Sequence, residues 1–283
     1  MGTNSSSEAA PRRIGIISGG DRMRYPEAYR NQSIWAKENG YDYRFEIATA
    51  EGGIQSHFDI TLVLLMQRLR EYDWLIWLDD DVYVTDFTHG RLEALLDEAE
   101  AAGASIIMAE GALEPQGFSS YVNAGTLGVR NDAAALEFLS TALGRDLADV
   151  REWWDDERLG IFTGGDQDKI TKTLLDDGYE RHLLRTTPER FNSRMHLYED
   201  SLHEGLLCHF CGHYDRELSL AQFSERWGLS PDLLPLDVAQ RYGLRTEGMP
   251  RLERRLRERR REMRGRAKRL LKPALSRVRH LRS

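Results

Sequence analysis

Two cysteines, Cys208 and Cys211, are all that this chain of 283 residues contains. Two thiols separated by two residues cannot build a disulfide framework, and so small a complement fits a reducing compartment. Long apolar runs are missing as well. None approaches the roughly 18 residues needed to span a bilayer, and Met1 to Arg13 carries Ser5-Ser6-Ser7 where a signal peptide would place its apolar core. The expected location is the cytoplasm. Neither G-x-G-x-x-G nor G-x-x-x-x-G-K-[ST] occurs, which removes the dinucleotide fingerprint and the P-loop. A nucleotide bound here would have its phosphates met by a metal and basic groups, with the loop Ser18-Gly19-Gly20 closing over base and ribose. No internal repeat is visible.

Charge is present but unevenly distributed. Arg251 to Ser283 holds fifteen Lys and Arg against three Glu, a charge of +12; the remaining 24 basic and 43 acidic residues leave −19. Within that tail Leu252, Leu256, Met263, Ala267, Leu270, Leu271, Ala274, Leu275 and Val278 recur at three- and four-residue spacing. The spacing predicts a basic amphipathic helix with a thin apolar stripe, kinked at Pro273, that fits an anionic lipid surface. A solvated basic extension is the alternative. Nucleic acid is not expected as a partner, because the tail has no aromatic residue to stack on bases and the body is acidic. The expected organisation is a flexible start over 1–13, one catalytic domain over 14–249 and the basic tail over 250–283.

What is there in the body alternates strand with helix. Ile14-Gly15-Ile16-Ile17 reads as a buried strand, Pro26 opens a helix that ends near Asn39-Gly40, and Tyr41 to Ile47 alternates as a second strand. A helix through Ile60, Leu64 and Leu65 leads into Trp74-Leu75-Ile76-Trp77-Leu78. Arg91 to Ala102 reads as a helix, Ser105 to Ala109 and Val122 to Val129 as strands, and helices dominate from Asp132 to Gly178. The pattern predicts an α/β fold, a nucleotide-binding sheet flanked by helices.

Four separated segments place polar residues where an element should end: Asp79-Asp80-Asp81, Asn123-Ala124-Gly125, Gly164-Gly165-Asp166-Gln167, and His209-Phe210-Cys211-Gly212-His213. Ends of strands in open α/β sheets are where ligands bind. Because side chains alternate across a strand, Asp79 and Asp81 are expected to project to one face and Asp80 to the other, giving an Asp-x-Asp pair. Two hard oxygen ligands with room for water suit Mg²⁺ or Mn²⁺ held together with a substrate phosphate, and His209 offers an imidazole as a third ligand. Each segment also has a plain structural reading: a solvated turn, a turn, Asp166 capping the helix that follows it, and a core histidine. Cys208-His209-Phe210-Cys211 is formally C-x-x-C, but a structural zinc needs four ligands and a redox pair should open a helix, whereas Gly212 follows.

The ordered set resembles the GT-A glycosyltransferases of family 34, the galactosyl-, xylosyl- and mannosyltransferase group. The matching pieces are Tyr29-Arg30-Asn31 with Trp35-Ala36-Lys37-Glu38-Asn39-Gly40-Tyr41, Trp74 to Asp81, Asn123 to Arg130, Gly165-Asp166-Gln167-Asp168, Phe191-Asn192 and His209-Phe210-Cys211-Gly212. They span roughly residues 14 to 214. The resemblance implies a GT-A fold with a mixed Rossmann-like sheet. It also implies transfer, with retention, from a nucleoside-diphosphate sugar to a glycan or other hydroxyl acceptor. By the same resemblance Asp79, Asp81 and His209 ligate Mn²⁺ (or Mg²⁺), and Asp166 and Gln167 sit at the reacting sugar. Ser18, Asp79, Asp80, Asn123, Ala124, Gly125, Gly165 and His213 would contact substrate. The chain departs from the family where a lysine would meet the leaving phosphate: His213-Tyr214-Asp215-Arg216 stands there, leaving His213 or Arg216 as the cation. Gly165 stands where an acidic residue occurs in the family. Two other classes fit parts of the pattern: a haloacid-dehalogenase-like phosphatase, which wants Thr or Val where Tyr83 stands, and a non-enzymatic sugar- or nucleotide-binding scaffold.

Overall fold

In a computed structural model, which describes residues 11–48, 56–115 and 117–280 and side chains as far as Gly265, the apolar start becomes β1 (Ile14–Gly20). Pro26 sits in the first turn of α1 (Pro26–Glu38), where its missing N–H costs nothing. There follow β2 (Asp42–Ile47), α2 (Ile60–Arg68), β3 (Trp74–Leu78), β4 (Val82–Val84) and α3 (Arg91–Ala101). Next come β5 (Ile106–Ala109), β6 (Asn123–Arg130), α4 (Ala133–Gly144), α5 (Leu147–Trp153), α6 (Asp156–Leu159) and α7 (Asp166–Asp176). The remaining elements are β7 (Leu183–Thr186), α8 (Pro188–Phe191), β8 (Leu207–His209), α9 (Arg216–Trp227), α10 (Leu236–Arg241) and α11 (Arg251–His280). The expected flexible start lies outside the described residues over 1–10, as do the side chains of the tail's stripe beyond Gly265.

The chain divides into two compact units, Met1–His209 and Phe210–Ser283. In the first, six strands run in the order β2-β1-β3-β6-β5-β7. β6 is antiparallel to both β3 and β5, and the other pairings are parallel, so the sheet is mixed. Each buried strand feeds two layers by simple alternation. Leu75 and Trp77 of β3 join Ile17, Ile106 and Met108 under α2, α4 and α7, while Trp74, Ile76 and Leu78 join Ile14, Ile16, Ile107 and Ala109 on the side of α1 and α3. Continuous apolar runs in the sequence are what a sheet covered on both faces requires. β4 and β8 form a separate antiparallel pair with Val82 opposite His209.

One buried ion pair crosses the first layer. Lys169 Nζ lies 2.9 Å from Asp59 Oδ2, and both side chains are fully inaccessible. It ties α7 to the turn that opens α2. Lys169 shares the inner face of α7 with Ile170, Thr173 and Leu174, all buried, a position at which a lysine needs a partner. Lys169→Met leaves the Asp59 carboxylate buried without its cation, so a loss of about 3–5 kcal/mol is expected in urea unfolding. An unchanged midpoint would mean that water reaches the pair.

In the second unit Asp215 caps α9 through the Leu218 N–H, and Phe210 meets the edge of the Phe223 ring. The first half of the basic tail is part of this unit. Arg257 pairs with Asp215 at 3.1 Å and with Glu217, and Arg254 pairs with Glu225, fastening α11 to α9. The backbone stays helical through Pro273. Among the described residues no helix is long and apolar enough to cross a membrane.

Candidate active site

β3 ends at Leu78, and the three aspartates leave it in a turn: the Val82 N–H donates to the Asp79 carbonyl at 3.1 Å. The expectation that strand alternation pairs Asp79 with Asp81 is therefore corrected. The two come together because the turn brings them round, and a continued strand would have carried three carboxylates into the sheet. Gln32 of α1 holds the turn, donating from Nε2 to the carbonyls of Asp79 (3.0 Å) and Val82 (2.8 Å), while Asn31 exchanges two hydrogen bonds with the backbone of Val84. Asp80 leans away, 3.9 Å from Arg24 in the loop after β1. Ser18 is fully buried within β1.

The register of Val82 opposite His209 sets the imidazole beside Asp81. His209 Nε2 lies 2.9 Å from Asp81 Oδ1 and 3.8 Å from Asp79 Oδ2, and one ligand atom from each of the three residues falls within a 4.8 Å group. Among the described residues this is the one cluster of three or more His, Cys, Asp or Glu with that spacing, and neither cysteine belongs to it. Cys208 is buried in β8 opposite Tyr83, which leaves no support for the C-x-x-C reading.

A chain of hydrogen bonds fixes the histidine's proton. The Gly125 N–H can only donate, so the atom of Asn123 it meets at 3.0 Å is the amide oxygen. Asn192 Nδ2 donates to that same oxygen at 2.7 Å, which turns the Asn192 carbonyl toward His209 Nδ1 at 3.0 Å. Nδ1 must then carry a hydrogen, which leaves Nε2 as the ring atom facing the two carboxylates, a donor to Asp81 when the imidazole is protonated and a metal ligand when it is neutral. Three acceptors facing one point fit a cation. Adjacent ligands around an octahedral ion at about 2.1 Å lie about 3 Å apart, a spacing that His209 and Asp81 already have at 2.9 Å and that Asp79, 3.8 Å from His209, exceeds. Asn192→Leu is expected to weaken Mn²⁺ binding on the order of 10- to 100-fold, the usual cost of losing a hydrogen bond that orients a ligand. A calorimetric titration checks it, and equal affinities would detach Asn192 from the site.

Gly125 has a specific task here. A Cβ on it would stand 2.1 Å from His209 Cε1 and 2.4 Å from Nδ1, so the ring for which this glycine makes room is the imidazole. Gly165 is likewise confined, by the Phe58 ring at 2.8 Å.

α7 delivers the last pair. Asp168, three residues in, accepts at Oδ2 from the N–H groups of Thr163, Gly164 and Gly165 and from the Thr163 hydroxyl. The N-cap is Gly165, which has no side chain, so the capping read for Asp166 falls to Asp168, which reaches back. Asp166 accepts instead from the Gln167 N–H at 2.8 Å. Burial first, and then the neighbouring Asp79, hold its carboxyl well above the usual range. Asp79 is pushed up to about 6 by desolvation, opposed by His209 and reinforced by Asp81. Gln167 Oε1 accepts from the Ala124 N–H at 3.2 Å, joining α7 to the start of β6. In its own unit His213 bonds Ser219 through Nδ1 at 2.7 Å, and Arg216 donates to the Phe210 carbonyl.

Asp79, Asp81, Asn123, Ala124, Gly125, Asp166, Gln167 and His209 are therefore brought together. Asn192 and Gln32 are the residues that sequence reasoning did not assign a role. Phe191-Asn192 belongs to the matched motif, but no local pattern ties it to His209.

No protein-family model matches the chain, and no curated protein does. Among solved structures it is similar to a glycosyltransferase involved in the glycosylation of the major capsid of PBCV-1, with a TM-score of 0.52 at 18% identity over 76% of this chain and 99% of that one. It is also similar to mouse xyloside xylosyltransferase 1 in its apo form (TM-score 0.42, 13% identity, 71% and 98% of the chains). A third similarity is to the galactosyltransferase LgtC in complex with donor and acceptor sugar analogues (0.40, 17%, 75% and 94%). The fold is that of the GT-A glycosyltransferases, as the first of these shows.

Proposed function

We propose that this protein is a metal-dependent glycosyltransferase that moves a sugar, with retention of configuration, from a nucleoside-diphosphate sugar to a hydroxyl of a glycan acceptor. The observation that carries the reading is the cluster of Asp79, Asp81 and His209, which brings one oxygen from each carboxylate and a ring nitrogen within 4.8 Å of one another. These three residues would hold Mn²⁺ or Mg²⁺, and the ion would offset the negative charge that develops as the nucleoside diphosphate departs. Asp80 and the end of β1 would face the nucleoside. Gln167, whose amide oxygen accepts from the Ala124 N–H, would offer an oxygen dipole to the positive charge that grows on the sugar ring. Asp166, buried beside Asp79, would bind the sugar's hydroxyls.

Thermal unfolding with UDP, GDP and dTDP, each with and without Mn²⁺, tests the reading. At a hundredfold excess over Kd the preferred nucleotide should raise the midpoint on the order of 5 °C or more, and only with the metal. No shift with any of the three would contradict it.

The tail is proposed to rest on anionic lipid at the cytoplasmic face of a membrane. Leu252, Leu256 and Met263 are exposed on α11 between basic residues. Because Arg254 and Arg257 fasten α11 to α9, the informative truncation is after Gly265, which removes seven Lys and Arg and no acid. It should abolish sedimentation with anionic vesicles at low salt, each charge near the surface being worth about 1 kcal/mol. Equal sedimentation of the truncated and full chains would refute the assignment.

A further inference from the structure

We infer that a cavity in the first unit, of about 630 Å³, is an acceptor subsite that takes a neutral oligosaccharide of two or more sugar units. The inference rests on the transferase reading. The cavity is walled by the segment that follows β5, by the segment that precedes β6 and by α6, and is lined by Glu110, Phe118, Tyr121, Asp156, Arg158 and Arg185 among others. Its volume falls within the range of ligand pockets, roughly 300–1,000 Å³, and is larger than one sugar ring needs. A smaller cavity of about 280 Å³ shares Phe118, Asp156 and Gly160 with it and continues past Ile161 and Phe162.

Its place follows from the sheet. β5 lies two strands from β3, so its end stands about 10 Å from the end that bears Asp79. Tyr121 is two residues from Asn123, within about 7 Å along the chain. The other wall leads through Gly160 and Phe162 into Asp166 and Gln167. Both walls therefore run directly into the two segments that Gln167 joins to each other.

The walls are held by backbone. The Gly111 N–H donates to the Ser120 carbonyl at 2.9 Å, and a Cβ on Gly160 would stand 2.0 Å from the Ser119 carbonyl oxygen. This shape exists without ligand, which lowers the ordering cost of binding. The Phe118 side chain, 40% exposed, offers a flat face for the C–H side of a sugar ring. Arg185 covers the Tyr121 ring at 4.6 Å, setting a row of guanidinium donors. Glu110 and Asp156 accept from hydroxyls, Arg158 and Arg185 donate to them, and such a lining suits a neutral polyol. Glu110, Asp156 and Glu157 stand against Arg158 and Arg185, and Arg151 of the adjoining cavity is paired with Asp156 at 3.2 Å, so the lining is balanced in charge and suits a neutral ligand better than a diphosphate. An alkyl chain would leave these charges without partners.

Saturation-transfer NMR on the full chain tests this without any donor, using unbranched neutral oligosaccharides of one to four hexose or pentose units. The wild type should bind dimers and longer oligomers. Phe118→Ala and Glu110→Gln should each weaken that binding by about 10-fold or more, while leaving the nucleotide- and Mn²⁺-dependent thermal shift in place. Phe118 is exposed enough for its truncation to spare the fold. A wild type that binds no oligomer of the panel, or variants that bind as it does, would overturn the inference. If oligomers bind and the variants lose them while no nucleotide shifts the wild type, the subsite stands and the transferase reading is what fails.

Discussion

Asp81→Ala is expected to remove transfer and Mn²⁺-dependent nucleotide binding together while the protein stays folded. The Asp81 side chain is 10% exposed and 2.9 Å from His209, so its loss deprives the cation site of an oxygen without removing an apolar side chain from the layer that holds Leu78, Val82 and Val84. A metal at the departing phosphate supplies several kcal/mol of charge stabilisation, and about 4 kcal/mol corresponds to roughly 10³-fold in rate. The check is paired: sugar transfer by product chromatography, and nucleotide binding by calorimetry with and without Mn²⁺. A variant that keeps metal-dependent nucleotide binding would separate Asp81 from the ion.

The second large effect is expected at Gln167. Its amide oxygen meets only a backbone N–H in the structure, and its proposed work is done when the sugar carries positive charge. Gln167→Ala should therefore lower kcat by about 10²- to 10³-fold, the usual loss when one preorganised dipole is removed, with little change in nucleotide affinity. Equal losses in kcat and in donor affinity would make Gln167 a donor-binding residue instead. Gln167→Glu, which keeps an oxygen at the site and adds charge, should recover part of the rate if the dipole is what matters.

Much of this arrangement was legible in the chain because it is local. The apolar run that ends abruptly at Leu78 marks where β3 stops, with Asp79 to Asp81 just beyond it, and His209 closes β8; β1 instead runs past its apolar stretch to Gly20, so Ser18-Gly19-Gly20, read as a loop, belongs to the strand. What escaped is relational. Periodicity says that Val122 to Val129 is a strand, but not that β6 enters antiparallel between β3 and β5, the placement that lets Gly125 bond Asp79 and sit beneath His209. Asn192 fixes the imidazole across a sequence distance of seventeen residues through an amide with no distinctive neighbours. Lys169 looks like an ordinary helix residue until Asp59, 110 positions earlier, is placed against it. Asp79 and Asp81 were paired for a reason the backbone does not follow: a turn held by Gln32, rather than the pleat of a strand, brings them to one point.

Coordination through His209 Nε2 is the central claim, and pulsed electron paramagnetic resonance on Mn²⁺ reads that nitrogen directly. With the full chain, Mn²⁺ and whichever nucleoside diphosphate gives the largest thermal shift, the spectrum should show nitrogen hyperfine modulation from a coordinated imidazole. That modulation should vanish in His209→Ala and persist in His213→Ala. Bound Mn²⁺ with no imidazole nitrogen in the wild type, or the same modulation after His209 is removed, would contradict the claim that Asp79, Asp81 and His209 hold the metal.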